Sequence, residues 1–385
     1  MSKLSVRLSN MGFAVYVVPE LATLTITGGA MPTAYEREQF VGWETAILRA
    51  QMNLEDAFEE IALKCTPSKH AVLLCDRGTM DVLAYVGRDT FQEILEENKW
   101  TIPQLRDSRY NAVVHLVTAA IGAEDFYTLE NNKARMETVA EARDLDGRLS
   151  RAWIGHNSLH IIENSSHGFE EKMTLVTRAV CEALGIPAPR ATPRWWIVQV
   201  DESAFNNSAS EDGGFEFAEW QLQHTFLKTA DGSESRVTKK SQPQGATTYH
   251  LRLQGEMVKN EQSVSERTLS YREYKTLLKE ADPARTSIVK NRRAFIWNNE
   301  YYMLDTFQSP PAAAGVTTLF IEKPVEAVER ELPPFVALVE DVTTKKWFSS
   351  FAHDSFRRTM ALTNDLAEQQ QRTTTNKREE IQRHQ

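Results

Sequence analysis

The sequence predicts two domains of different architecture, an α/β domain with a mainly parallel sheet followed by a mainly antiparallel β domain. Three observations carry this. At roughly 150 residues per domain, 385 residues hold two domains and a tail. Three prolines in the seven residues Pro187 to Pro193 read as a linker. Before that linker helical and strand patterns alternate, and after it the apolar period changes to two. The bounds that follow are domains over 1–185 and 195–358, a linker over 186–194, and a polar tail over 359–385 that is unstructured or a frayed helix.

In the first domain Leu4, Leu8 and Met11 share one helix face, closed by Gly12. Phe13 to Val18 is a short buried-type strand running into Pro19-Glu20. Residues 33 to 64 read as helix, and Ala71 to Cys75 as a second strand ending in Asp76-Arg77-Gly78. Ala112 to Val117 is a third strand, Lys133 to Arg148 a charged helix, Leu159 to Ile162 a fourth strand, and Phe169 to Leu184 a helix closed by Gly185. In the second domain strands are expected at Trp195 to Val200, Phe215 to Leu227, Glu234 to Lys240, Thr247 to Leu253, Ser287 to Trp297 and Tyr301 to Phe307. Asn298-Asn299 suits a tight hairpin turn between the last two. One helix is clear there, opened by the capping box Ser270-x-x-Glu273.

With 41 % hydrophobic and 25 % charged residues the composition is that of a globular chain. Apolar runs such as Phe13 to Val18 fall far short of the roughly 18 residues of a spanning helix. Cys65, Cys75 and Cys181 are widely spaced and odd in number, which fits neither a disulfide framework nor a zinc knuckle and suits a reducing, cytoplasmic setting. A net charge of −9 argues against general nucleic-acid binding. Between Arg236 and Arg293, however, thirteen Lys or Arg stand against six Asp or Glu, an excess that suits either a multiply charged anion or a solvated basic face.

Parallel sheets place chemistry at the carboxyl ends of their strands, where this sequence has Glu20, Asp76-Arg77 and Asp81. A carboxylate there can hold Mg²⁺ through water while the arginine faces phosphate; a turn or an ion pair is the alternative. His156 and His160, four apart, could share a helix face as metal ligands, but the local pattern reads as a loop entering a strand. In the second half Arg236 with Lys240, His250 with Arg252, and Lys290 with Arg292 each share a strand face, and Asp305 is in phase with Tyr301 and Met303. Spacing alone leaves open whether that face is interior.

Val18-Pro19-Glu20, Cys75-Asp76-Arg77-Gly78 with Asp81 and Ala84-Tyr85, Arg135-x-Glu137 with Ala142-Arg143 and Asp146, Trp153 with His156, and Ile162-x-Asn164 ahead of Phe169-Glu170-x-Lys172 together resemble the NadR-like AAA ATPase domain. The fuller resemblance is to the TRPL translocation defect family, which joins such a domain to a CYTH-like one. It implies a P-loop NTPase-like sheet and Mg²⁺ with GTP or ATP. Asp76 would face the metal and Arg77 the phosphates, Glu20 would serve as a base toward the acceptor or water, Asp81 would stand nearby, and Arg135, Arg143 and Arg148 would form a lid-like helix over the transferred phosphoryl group. In that family a strand and a G-x-x-x-x-G-K-S/T loop precede a helix like Met1 to Met11, where this sequence starts. A start truncated relative to the family is the expectation, because losing a central strand strands buried backbone groups; a tolerated loss is the alternative.

The second half resembles the CYTH-like, or triphosphate tunnel, domain at Tyr249-His250-x-Arg252, Glu266-Arg267, Asp282-Pro283-x-Arg285, Lys290-x-Arg292-Arg293 and Leu304-Asp305-x-Phe307. The resemblance implies a barrel that binds an anion through Arg236, Lys240, Arg252, Arg267, Lys290, Arg292 and Arg293, with metal carboxylates at Glu219, Glu266, Asp305 and Glu322. Where catalytic members carry E-x-E-x-K and E-x-E, this sequence has Glu219-x-Gln221-x-Gln223 and Glu322-Lys323-Pro324. Amides are poor ligands for Mg²⁺, so binding is expected over hydrolysis. The family further implies phosphoinositide, phosphatidic-acid or polyphosphate ligands and peripheral membrane contact. A small-molecule kinase, a triphosphate phosphohydrolase and a pseudoenzyme without nucleotide are the alternatives.

Overall fold

The structure is a computed structural model, and it describes residues 1–66, 70–124, 138–164, 168–186, 194–206, 216–229, 233–243, 245–255, 264–321, 332–343 and 345. The chain divides into two compact units, with the main boundary between Ala188 and Pro189.

The first unit opens with α1 (Ser2–Asn10), β1 (Ala14–Val18), α2 (Leu21–Thr27), α3 (Arg37–Cys65) and β2 (Ala71–Cys75). It continues through α4 (Asp81–Val86), α5 (Arg88–Asn98), β3 (Val113–Leu116), α6 (Val139–Ala152), β4 (Leu159–Ile162) and α7 (Phe169–Ala183). Reciprocal capping boxes start α3, at Glu36 and Gln39, and α6, at Thr138 and Glu141. The expected single parallel sheet is instead two parallel pairs, β1 with β2 (Val18 opposite Cys75) and β3 with β4 (Leu116 opposite Ile162). Side chains rather than a ladder unite them. Leu4 and Leu8 of α1, Val72 and Leu74 of β2, Ile162 of β4 and Met173 and Val176 of α7 form one buried cluster, against which Val15 of β1 and Val114 of β3 pack.

The second unit contains β5 (Arg194–Val200), α8 (Ser203–Asn206), β6 (Phe217–Leu227), β7 (Glu234–Ser241), β8 (Thr247–Gln254), β9 (Val264–Leu269) and α9 (Tyr271–Leu277). After these come β10 (Ile288–Trp297), β11 (Glu300–Ser309), β12 (Thr317–Ile321) and β13 (Val336–Asp341). The strands form one nine-stranded sheet in the order β13-β5-β12-β11-β10-β6-β7-β8-β9. Pairing is antiparallel in β6–β7, β7–β8, β6–β10, β11–β12, β5–β12 and β5–β13. The expected closed barrel is thus a sheet with β13 and β9 at its ends, no pair closing the ring among the described residues. Asn298 and Asn299 both have positive φ, 47° and 57°, as a two-residue hairpin turn requires. Ser270 and Glu273 make their reciprocal capping bonds at the start of α9.

Candidate functional site

Along a strand, side chains alternate between faces, and residues directly opposite on neighbouring strands share one. Register therefore sorts the second unit's charges. Phe226, Arg236 and Arg252 stand in one row, His224, Thr238 and His250 in the next, and Leu222, Lys240 and Thr248 in a third. From β10, Lys290 joins the Leu222 row and Arg292 stands opposite Trp220. Arg236, Lys240, Arg252, Lys290 and Arg292 thus occupy one face. Glu219 lies on the other, opposite Arg293, with Gln221 opposite Asn291 and Gln223 opposite Lys239.

The basic face is largely buried. Lys240 is 1 % exposed and sits 4.6 Å over the Trp220 ring. Asp305 of β11, fully buried, accepts from Lys290 Nζ at 2.6 Å, Arg292 Nε at 2.6 Å and Arg292 Nη2 at 2.7 Å. Burial works against that carboxylate's charge, but Arg292 and Lys290 outweigh it and hold Asp305 well below the usual range. Burial pushes Lys290 down to about 8 in spite of Asp305. Further along the face, Arg285 packs over the Phe226 ring and bonds Glu234 at 3.0 Å. Arg236 lies 4.0 Å from Glu234, and Arg252 lies 3.8 Å from Glu266.

Six cations here face three carboxylates, and Arg236 stands directly opposite Arg252, a like-charge pairing that ordinarily destabilises a sheet. The Nε atoms of Arg236, Arg252 and Arg285 are buried without a hydrogen-bond partner. So is His224 Nε2, whose ring bonds Thr238 Oγ1 through Nδ1 at 2.8 Å. Burial first, then Arg236, Lys290, Arg292 and Arg252, hold His224 well below its ordinary value. Positive charge thus exceeds negative charge on this face.

Among the described residues, the expected metal carboxylates are each beside a cation. Glu219 binds Arg293 Nε at 3.3 Å, Glu266 lies beside Arg252, and Asp305 is occupied by Lys290 and Arg292. Ile197 of β5 shares a face with Asp305 through Thr318, so the β5 positions in phase with it are Trp195, Ile197 and Gln199, none a carboxylate. No group of three or more potential metal ligands exists among the described residues. Arg293 also binds Glu202 at 2.5 Å, and Arg267 binds Glu273 at 3.0 Å, so neither joins the row of Arg236 and Arg252. Glu322 and Arg135 lie outside the described residues.

In the first unit Glu20 and Asp76-Arg77 follow the carboxyl ends of β1 and β2, which end in register. Arg77 Nε donates to Glu20 Oε1 at 3.2 Å, and Glu20 also accepts from Thr23 Oγ1. Burial and then Glu20 raise Asp76, while Arg77 opposes them. Arg77 has φ 74°, a left-handed conformation costly for a side chain-bearing residue. The turn that follows is clamped to sustain it. Asp81 accepts from Gly78 N at 3.0 Å and Trp153 Nε1 at 2.7 Å, Thr79 N donates to Tyr110 Oη at 2.9 Å, and Tyr110 donates to Glu55 at 2.8 Å. A Cβ on Gly78 would stand 2.7 Å from the Trp153 ring, so this position requires glycine.

Asp81 is thereby a holder of the turn. Arg143 and Arg148 are likewise tied to the scaffold: Arg143 bonds Ala120 O and Glu124, and Arg148 bonds Ala84 O and Asp144. His156 bonds Tyr110 O at 3.0 Å and His160 bonds Ser158 Oγ at 2.9 Å, so a ring nitrogen of each is already held by the scaffold. Glu44, which sequence reasoning missed, is 4 % exposed, and burial followed by the Asp81 charge pushes it up to about 7. Its signal was available: Glu44, Gln51 and Glu55 fall among Leu48 and Met52 on one buried stripe of α3.

Fold and site together define a two-unit protein, α/β with strand-end carboxylates and then antiparallel β with a buried basic face. A family model described as an AAA domain matches residues 2–172. Among solved structures, the inorganic triphosphatase NE1496 matches with 18 % identity and a TM-score of 0.27, covering 42 % of this chain and 94 % of its own. A conserved hypothetical protein from Pyrococcus furiosus matches with 10 % identity and a TM-score of 0.25, covering 34 % and 78 %. TM-scores this low carry no inference about the present chain. No curated protein sequence matches it. Among the described residues no helix is long and apolar enough to cross a membrane.

Proposed function

We propose that this chain is a nucleotide-dependent binding protein whose second unit holds a multiply phosphorylated anion, either soluble polyphosphate or a phosphorylated lipid headgroup. The observation that carries this is the row in which Arg236 faces Arg252 beside Lys290, Arg292 and His224, with three buried guanidinium Nε atoms of the face lacking partners. A facing guanidinium pair is unfavourable for the free sheet and is relieved by phosphate, to which arginine donates in a bidentate fork.

Binding rather than hydrolysis fits the described carboxylates Glu219, Glu266 and Asp305, each of which is engaged by a cation. In the first unit, which the AAA domain model covers, Asp76 is the residue suited to hold Mg²⁺ through water. Bound Mg²⁺ would neutralise charge between nucleotide phosphates; GTP and ATP both suit this reading. The setting proposed is cytoplasmic, with peripheral membrane contact where the anion is a headgroup.

Calorimetric titration with tripolyphosphate tests the reading. The double variant Arg236→Gln/Arg252→Gln is expected to weaken binding more than tenfold and to flatten its salt dependence. Equal affinity in a folded double variant would sink the proposal. Co-sedimentation with vesicles containing phosphatidic acid or phosphoinositide, beside the soluble titration, tells which source of phosphate the face accepts. For the first unit, Asp76→Asn is expected to abolish the Mg²⁺-dependent part of nucleotide affinity.

A further inference from the structure

His224 lies at the centre of the basic face. Directly opposite it are Thr238 on β7 and Ile288 on β10. Its diagonal neighbours on that face are Arg236 and Lys240 on β7 and Lys290 on β10, with Arg292 two residues further along. On β8, His250 stands beyond Thr238, its Nε2 3.0 Å from Thr248 Oγ1, and Arg252 stands beyond Arg236. The negative groups around it are Asp305, bound to Lys290 and Arg292, and Glu234 and Glu266 at the Arg236–Arg252 end. The residue is 5 % exposed, Nδ1 is engaged by Thr238, and Nε2 has no partner.

This arrangement has two states. In the tautomer whose Nδ1–H donates to Thr238 Oγ1, a second proton, on Nε2, would add a further positive charge to a buried cluster and would find no acceptor, which disfavours it in the free protein. A polyanion lodged among Arg236, Arg252, Lys290 and Arg292 removes both obstacles, since it cancels the surrounding charge and supplies oxygen acceptors.

We propose that His224 is a proton-coupled ligand residue of this face: when a multiply charged anion binds, His224 takes one proton from solvent and donates from Nε2 to the anion. The proposal rests on the anion-binding reading given above. No bond to the ligand is made or broken, and a single proton moves from solvent to the ring. Lower pH then favours binding, by up to tenfold per pH unit in the interval between the free and bound titrations.

The test uses the full chain and myo-inositol hexakissulfate, a polyanion whose own charge is constant between pH 5 and 8. The NMR ring signals of His224, assigned by their loss in His224→Gln, are followed with pH. Without probe they should titrate well below the range of an ordinary histidine; with saturating probe they should titrate at clearly higher pH. His224→Gln keeps a neutral donor and should lose the pH dependence of affinity on the acid side, retaining only what Lys290, pushed down to about 8, contributes toward pH 8. Binding that leaves His224 untitrated would overturn the inference and leave the anion-binding reading standing. Absence of binding at any pH would overturn both. Should His224→Gln fail to fold, assignment through Thr238 contacts in the native chain still decides the matter.

Discussion

Glu44→Gln isolates the buried carboxyl of α3 without changing its shape. Glu44 is 4 % exposed, and its carboxyl is raised from 4.5 to about 7 by burial and then by Asp81. Below pH 4.5 both folded and unfolded chains hold the proton, and the contribution of Glu44 to stability is complete. As pH rises the unfolded chain releases its proton first, and the contribution is lost through about pH 7. Keeping the proton over that interval corresponds to about 3 kcal/mol. The glutamine variant cannot ionise, so its advantage over the native chain should grow by about 3 kcal/mol between pH 4.5 and 8. Urea unfolding followed by circular dichroism at several pH values, taking the transition that the substitution moves, measures it. Contributions from other groups cancel in the difference. A difference that is constant from pH 5 to 8 would refute the account of Glu44.

Two further substitutions probe the scaffolds of the two sites. Gly78→Ala drives a methyl into the Trp153 ring, at 2.7 and 2.9 Å, and is expected to destabilise the first unit by about 1–3 kcal/mol and to alter the near-ultraviolet signal of Trp153. A native spectrum and an unchanged midpoint would mean that the turn after β2 is looser than its hydrogen bonds imply. Asp305→Asn leaves Lys290 and Arg292 buried without their shared carboxylate and should lower stability by about 3–5 kcal/mol, with tripolyphosphate restoring part of the loss in thermal unfolding. Destabilisation that the anion does not relieve would place the two cations outside its reach.

Much of the local structure was readable because it follows from period and caps. The run Ala71 to Cys75 appears as β2 with unchanged ends, and Ser270 with Glu273 forms the cap that its spacing announced. What escaped depends on partners distant in sequence. β9, β12 and β13 are short or sparse in apolar residues, and only their neighbours in the sheet define them. The separation of the α/β sheet into two pairs is likewise invisible to hydrophobic patterning, which is the same whether strands bond to each other or merely share a core. In the site, alternation correctly grouped Arg236 with Lys240 and Lys290 with Arg292. It could not say that Glu219 lies across the sheet from them, because cross-strand register is not written in either strand alone. The metal role implied for Asp305 came with the resemblance; its phase with Tyr301 and Met303 is the same whether the carboxylate holds a metal or neutralises Lys290 and Arg292, as it does here.

Odd and even positions of β10 carry opposite assignments, Lys290 and Arg292 to one face, Asn291 and Arg293 to the other. Point replacements on the second face therefore leave the first chemically intact. Insertion or deletion of a single residue within β6, β7 or β10 would instead invert the assignment, carrying Glu219 and the glutamines toward the arginines and turning the lysines outward. Divergence within these strands should consequently proceed by substitution at constant length, with gains and losses of residues confined to the connections. Strand length, more than residue identity, then becomes the signature by which related sequences sharing this face are recognised.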